Sequence, residues 1–182
     1  LDKAKAIIID DYTPLLQKNK IEREEFILLV NKSLEIKETA RGYLYLGHAD
    51  FMAFNSVGNK KAAANYEKAI ELNPEYVEAF IALGSLHQNN KNYEGVITNY
   101  GEAIRLDSNN EVLYEAIGNA KREIGDHKGA IVDLGKAMKV NPHNALTYFH
   151  SGQSKHFIGD FKGAVNDFSK AIELNPESAN FY

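Results

Sequence analysis

The hexapeptide AIELNP occupies residues 69–74 and returns unchanged at residues 171–176. Between the two copies lie looser versions, AIRLDS at 103–108 and AMKVNP at 137–142. The four versions begin at evenly spaced alanines, Ala69, Ala103, Ala137 and Ala171. Two more series keep this interval, one of aromatic residues and one of glycines: Phe80, Tyr114, Tyr148 and Tyr182, and Gly84, Gly118 and Gly152. A fixed period of roughly 34 residues predicts a solenoid built from one repeated unit.

Each unit contains two helical patterns separated by a short polar break. Apolar residues recur at steps of three and four between residues 80 and 86, and again between 96 and 104. Gly125 and Gly159 suit the left-handed residue that ends a helix. The residues that suit the N-cap of the second helix are Asn92, Asp126 and Asp160. Asn-Pro then ends that helix, because proline restricts the residue before it. The sequence predicts antiparallel helix pairs.

These pairs resemble the tetratricopeptide repeat, a helix–turn–helix unit of about the same length. The resemblance rests on Phe80-x-x-Leu83-Gly84-x-x-His87, Val96-x-x-x-Tyr100 and Ala103, and on Tyr148-x-x-Ser151-Gly152, Ala164-x-x-x-Phe168, Ala171 and Pro176. It implies an all-α fold, an α-α superhelix of antiparallel hairpins. Small residues are expected to face one another within each hairpin, in the pairs Gly84 and Val96, Gly118 and Ala130, and Gly152 and Ala164.

The repeat pattern predicts the following division of the chain. Residues 77–110, 111–144 and 145–178 form repeats, and residues 40–76 form an earlier repeat whose inter-helix turn is three residues longer, around Phe54 to Asn59. Residues 1–39 form a divergent helical hairpin in which Ile21 to Lys37 is one helix and Pro14 starts or interrupts another. Residues 179–182 begin a further repeat. Whether the natural chain continues at either end is open.

Composition argues against several classes of function. The formal net charge is −4, so the surplus of Lys and Arg that a nucleic-acid surface needs is absent. Without cysteine, the chain has no disulfides and no thiolate metal sites. Its apolar runs, such as Phe26 to Val30, are far too short to insert into a bilayer. The compartment stays undetermined, with the cytoplasm as the default expectation.

Catalytic and metal-binding motifs are also missing from the sequence. It contains no phosphate-binding loop, no His-Glu-x-x-His and no Gly-x-Ser-x-Gly. The six histidines are scattered, and His150 and His156 lie on different faces of one helix. We therefore expect no enzyme activity, no catalytic residues, no metal and no cofactor.

The resemblance also locates a candidate peptide-binding groove, because the first helices of stacked repeats line a concave surface. Its candidate residues are Arg41, Leu44, His48, Phe51, Met52, Glu78, Ile81, Ser85, Gln88, Asn89, Val112, Glu115, Asn119, Arg122, Glu123, Leu146, Phe149, Gln153, His156 and Phe157. Amides there suit a peptide backbone, Arg122 suits a carboxylate, and Leu146, Phe149 and Phe157 suit an apolar anchor.

One partner class is excluded by residue type. The clamp with which related co-chaperones hold the C-terminal carboxylate of heat-shock chaperones needs lysine, asparagine and arginine at fixed positions. Those positions hold Leu44, His48, Ala82, Val112 and Ala116 in one frame. In the next frame they hold Ile81, Ser85, Ala116, Leu146 and His150. Neither frame builds the clamp.

The sequence therefore predicts a protein–protein interaction module that binds a peptide or protein segment of unknown identity in its concave groove. One alternative is a scaffold that assembles with itself through its open repeat ends. Another is a regulatory domain of a larger protein whose catalytic part lies outside this chain.

Overall fold

The structure, a computed structural model, describes residues 22–35, 37–108 and 110–176. Over these residues the fold is all-α, with helices joined by short turns and no strand, as predicted. In chain order the helices are α1 (Arg23–Leu34), α2 (Ala40–Phe51), α3 (Ser56–Leu72), α4 (Val77–Asn89), α5 (Tyr93–Leu106), α6 (Glu111–Glu123), α7 (His127–Val140), α8 (Ala145–Phe157) and α9 (Phe161–Leu174).

Contacts divide the chain into two compact units, residues 1–86 and 87–182. In the first unit, α2 packs against α3 and against α1. Tyr66 fills the α2–α3 interface and is 1% exposed, beside Leu44 and the small residues Ala62 and Ala69. Phe26 and other apolar residues of α1 bury against Leu46 and Ala49. Alternating large and small side chains lets these helices approach closely.

In the second unit, each helix from α5 to α9 packs against the next one along the chain. The first helices α6 and α8 also contact each other directly. Leu134 and Ala130 of α7 are fully buried, and Ala164, the equivalent of Ala130 one repeat later, is buried in α9. The predicted close approach of paired helices is therefore present in both hairpins of this unit.

The predicted helix ends are confirmed. Asn92, Asp126 and Asp160 cap α5, α7 and α9, and each side-chain oxygen accepts from the backbone N–H three residues on. Gly125 and Gly159 adopt φ of +85° and +83°, the left-handed region that glycine occupies without a Cβ clash. The helices α3, α7 and α9 end one residue before Asn-Pro.

Glycines recur in the first turn of α5, α7 and α9, and the sequence alone favours shared ancestry as the reason. The structure adds a steric reason in α7 and α9. A Cβ on Gly129 or Gly163 would overlap the carboxylate of the capping Asp126 or Asp160. On Gly95 it would lie 2.5 Å from the His87 ring. The first-turn glycines therefore leave room for a neighbouring polar side chain.

Two details of the sequence prediction were wrong. The connection between α2 and α3 spans residues 52–55, only one residue more than the break at 90–92, because most of the insertion extends α3 to 17 residues against 14 in α5. The nearest side chain to Gly152 is the Phe168 ring, rather than Ala164. Gly118 likewise faces Leu134 first and then the Ala130 carbonyl. Glycine accommodates a large side chain of the partner helix.

The first 21 residues, including Pro14, and residues 177–182 lie outside the described residues. The helix predicted from Ile21 to Lys37 is present as α1, over Arg23–Leu34. The division of the chain into repeats stays a prediction.

Candidate functional site

Each of three hairpins holds a polar contact between its two helices, made by a residue late in the first helix. Lys121 Nζ lies 2.6 Å from Asp133 Oδ2, and Lys155 Nζ lies 2.7 Å from Asp167 Oδ2. In the α2–α3 hairpin, Asn65 Nδ2 donates to Asp50 Oδ2 at 3.0 Å. The sequence carries this signal, because both the lysines and the aspartates of the two ion pairs recur exactly one repeat period apart. Sequence reasoning missed the pairing.

The surface where α6 meets α8 carries a second polar network, centred on Glu115. Asn144 Nδ2 and Thr147 Oγ1 both donate to Glu115 Oε2, at 2.7 Å and 2.9 Å. The carboxylate is thereby bound to the start of α8, where Asn144 also caps the helix by accepting from the Leu146 N–H. Oε2 of Glu115 is thus held by the chain itself.

Arg122 lies further along the same face of α6. Its Nη1 donates to Gln153 Oε1 of α8, and its Nη2 donates to Glu123 Oε1 at 2.9 Å. The Nε of Arg122 and the Oδ1 of Asn119 are buried, and neither has a hydrogen-bond partner among the described residues. The arrangement thus leaves one donor and one acceptor unused on adjacent turns of α6. We call Glu115, Asn119, Arg122, Asn144, Thr147, His150 and Gln153 the α6–α8 patch.

The net charge of the α6–α8 patch depends on whether His150 is protonated. Burial lowers the pKa of its imidazole to about 4, and the positive charge of Arg122 acts in the same direction. Glu115 Oε1, 4.0 Å from His150 Nδ1, favours the protonated ring but does not outweigh these two effects. Near neutral pH the ring is therefore uncharged, and the patch with its neighbour Glu123 combines one arginine with two glutamates.

The other candidate residues of the second unit do not belong to this patch. Gln88 is exposed and accepts from the Tyr100 hydroxyl at 3.1 Å, while Asn89 is exposed at the end of α4. Leu146 is 48% exposed at the start of α8. The Phe149 ring lies 5.8 Å from the rings of both His150 and Phe168, so it packs inside the unit.

The end of α8 carries an exposed aromatic group that the sequence did not predict as a cluster. The His127 ring stacks on Phe157 with centroids 4.4 Å apart. His156 lies edge-on to Phe161 at 5.4 Å. Phe157 remains 70% exposed. Phe157 and His156 therefore belong to the turn edge of the hairpin, together with His127 of α7.

In the first unit, the structure brings fewer candidate residues together. His48 Nδ1 lies 3.0 Å from the Tyr66 hydroxyl, and burial lowers the pKa of the imidazole. Burial, and then the charge of Asp50, raise the pKa of the Tyr66 phenol. Ser85 Oγ donates back to the Ile81 carbonyl of its own helix at 2.9 Å. Arg41 is exposed near the start of α2.

Neither a metal-binding cluster nor a membrane-spanning helix occurs in the described part of the chain. No three His, Asp or Glu side chains among residues 22–35, 37–108 and 110–176 converge so that they could hold a metal ion. None of the helices over these same residues is long and apolar enough to cross a membrane.

Comparison with known proteins identifies the class. A family model for the tetratricopeptide repeat matches residues 77–110, 112–144 and 145–178, and a second model for the same repeat matches 59–91. The matches cover more than half of the chain, which therefore belongs to the tetratricopeptide repeat family. Members of this family serve as protein–protein interaction scaffolds. No curated protein sequence matches the chain.

Solved structures agree on the fold. The crystal structure of MamA protein superposes with a TM-score of 0.81 at 22% identity, over 99% of this chain and 96% of that one. MamA from Desulfovibrio magneticus RS-1 gives 0.77 at 17% identity, over 98% and 97%. YrrB, described as a TPR protein with an unusual peptide-binding site, gives 0.80 at 19% identity, over 93% and 85%.

Proposed function

We propose that the chain binds an extended or helical peptide segment of a partner protein across the α6–α8 patch. The observation that carries this proposal is the pair of buried, unused polar atoms, Asn119 Oδ1 and Arg122 Nε. A buried polar atom without a partner costs roughly 1–3 kcal/mol. Both atoms are shielded from solvent, so a ligand reaches them only after the side chains over them move; a donor to Asn119 and an acceptor to Arg122 then remove that cost.

A peptide backbone supplies both groups at once, since every residue except proline carries one N–H and one C=O. Asn119 and Arg122 are three positions apart and lie on one face of α6. The hydrogen bond from Arg122 to Gln153 fixes the guanidinium before any ligand arrives. A fixed side chain loses less conformational entropy on binding, which favours affinity.

The charge of the patch favours contact with the backbone of a peptide over contact with an acidic side chain of that peptide. Glu123 pairs with Arg122 at 2.9 Å, and Glu115 adds a second negative charge close by. His150 contributes no compensating charge near neutral pH, because burial lowers its pKa to about 4. Leu146, about half exposed, offers an apolar contact at the start of α8. The description of YrrB as a peptide-binding TPR protein supports the same class of ligand.

The test is a peptide selection followed by site mapping. A displayed library of random peptides is selected against the chain, and the dissociation constant of a recovered peptide is measured by fluorescence anisotropy. The double variant Asn119→Ala and Arg122→Ala should weaken binding by about tenfold to a hundredfold, because two hydrogen bonds to a buried polar pair are lost.

The matched control is the double variant Asn166→Ala and Arg105→Ala, which removes the same two residue types from exposed positions on α9 and α5. It should leave the dissociation constant unchanged. If both double variants weaken binding equally, or if neither does, the peptide binds elsewhere and the proposed location is wrong.

A second proposal follows from the exposed apolar residues of α9. Val165 is 62% exposed and Ile172 is 41% exposed, whereas Ile131 and Met138, at the equivalent positions of α7, are less exposed. We infer that copies of the chain associate through the exposed apolar face of α9. Light scattering should then show a mass that rises with concentration and returns to that of a monomer in Val165→Glu. A strict monomer at high concentration would exclude association.

A further inference from the structure

The first unit contains a polar cavity that lies between α1 and α3, apart from the α6–α8 patch. Its volume is about 440 Å³, and its polar lining comprises Arg23, Asn31, Asp50, Lys61 and Asn65. A second cavity of about 300 Å³ shares Arg23, Asp50 and Lys61 and extends to the start of α3. A cavity of a few hundred Å³ with a few convergent polar groups is the size of a small-molecule site.

The single carboxylate of this cavity is already neutralised. Asp50 is about 10% exposed in its side chain and lies 3.4 Å from Arg23 Nη2. Asn65 Nδ2 donates to its other oxygen at 3.0 Å. Arg23 therefore compensates Asp50, and a second positive charge in the cavity has no carboxylate to balance it.

That second charge belongs to Lys61. It lines both cavities and forms no ion pair with any described carboxylate. Lys61 is exposed, and it shares the wall of this concavity with the guanidinium of Arg23. The lining of the first cavity thus holds two cations and one carboxylate, and a net positive charge on a concave surface attracts anions.

One nitrogen of the Arg23 guanidinium can exchange its present partner for a ligand. Its Nε donates to the Ala49 carbonyl at 2.6 Å, which anchors the group to the end of α2. Among the described residues, its Nη1 hydrogen-bonds with Glu24 alone, at 3.1 Å, and the Glu24 side chain is 78% exposed. A surface pair of this kind contributes little, so an anion in the cavity can replace Glu24 at Nη1 without a large cost.

The remaining lining suits an organic anion. Ile27, Leu46 and Ala64 form an apolar part of the wall that can contact a short aliphatic chain. Ser56, Val57 and Gly58 place the positive end of the α3 helix dipole at the second cavity. We propose that this cavity binds a small organic oxyanion. Its carboxylate or phosphate group lies between Arg23 and Lys61, and its carbon chain lies on Ile27.

Two probes distinguish the two sources of the oxyanion, glutarate for a carboxylate and propyl phosphate for a phosphate. Each is titrated into the ¹⁵N-labelled chain at low salt, and the side-chain amide signals of Asn31 and Asn65 are followed by NMR. At least one probe should shift both signals saturably. Lys61→Gln should weaken that binding by about tenfold, because one charge-assisted hydrogen bond is lost.

Lys60→Gln is the matched control, because Lys60 precedes Lys61 on α3, is exposed, and lines neither cavity. It should change the dissociation constant less than twofold. The proposal is overturned if neither probe shifts Asn31 and Asn65, or if Lys60→Gln weakens binding as much as Lys61→Gln. Because the cavity shares no residue with the α6–α8 patch, either result leaves peptide binding to be judged separately.

Discussion

The hairpins α6–α7 and α8–α9 are made of the same local parts, one repeat period apart, yet they are buried differently. Both have an aspartate cap, a left-handed glycine before it, and a lysine–aspartate contact between the helices. Leu134 of α7 is fully buried, whereas the equivalent Phe168 of α9 is only half-buried.

The difference arises because α7 packs against α8 on one side and α6 on the other, while α9 packs closely against α8 alone among the described helices. The caps, turns and ion pairs of a hairpin therefore depend on its own residues. The burial of its core side chains depends on the neighbouring hairpin. This is the behaviour of a solenoid whose stability is a sum of unit and interface terms.

The largest expected effect is on the packing of the two equivalent core residues. Leu134→Ala should lower the free energy of unfolding by about 3 kcal/mol, because the cavity it leaves is enclosed. Phe168→Ala should cost only about 1–2 kcal/mol, although phenylalanine is larger, since its ring is partly exposed. Urea unfolding followed by circular dichroism measures both values. A larger loss for Phe168→Ala would contradict the role given to the neighbouring helix.

Removing the lysine of each lysine–aspartate contact should destabilise the α8–α9 hairpin more than the α6–α7 hairpin. Lys155→Met leaves Asp167 mostly buried and without another ion pair in the described chain, whereas after Lys121→Met the carboxylate of Asp133 keeps Lys136 at 2.9 Å. We expect losses of about 2 and about 1 kcal/mol, below the roughly 3–5 kcal/mol of fully buried pairs. Adding Asp167→Asn to Lys155→Met should recover part of the loss in the same unfolding assay. No recovery would mean that the charge of Asp167 is not the cause.

The α8 helix should also make stability depend on pH. Burial lowers the pKa of His150 to about 4, below its ordinary 6.5, so the unfolded chain binds more protons between these values. The contribution is therefore complete above about pH 6.5 and is lost as pH falls towards 4. Between pH 7 and pH 5 this amounts to about 1–2 kcal/mol.

The control for this effect is His150→Gln, in which the corresponding part of the pH dependence should disappear. Urea unfolding of both proteins at pH 7 and at pH 5 measures it. An unchanged difference between the two pH values in His150→Gln would show that another group titrates.

The smallest effects should be those of the caps, and they should be equal in the two hairpins. Asp126→Ala and Asp160→Ala should each cost about 1 kcal/mol, since each carboxylate accepts one N–H at 2.9 Å and faces a helix N-terminus. Unfolding in low and high salt measures both. A clear difference between the costs of the two variants would show that the caps are not purely local.

The sequence predicted most of the local structure, such as helix ends and turns. The period, the caps at Asp126 and Asp160, and the glycines at 125 and 159 follow from residue type and spacing, because they depend on neighbours along the chain. The glycine contacts were predicted less well, since the side chain that fills the space at Gly152 is chosen by three-dimensional packing.

The candidate site was predicted only in outline. The choice of α6 and α8 residues came from helical spacing, but spacing cannot show that Glu115 is taken by Asn144 and Thr147. It also cannot show that Arg122 is bound to Gln153 while its Nε remains unused. These facts depend on side-chain distances between repeats.

The most direct test is to map a selected peptide onto the ¹⁵N-labelled chain by NMR. Peptide binding across the α6–α8 patch predicts that the largest shifts fall on the side-chain amides of Asn119 and Gln153 and on the backbone of α6 and α8. Shifts confined to α5, α7 and α9 would contradict it.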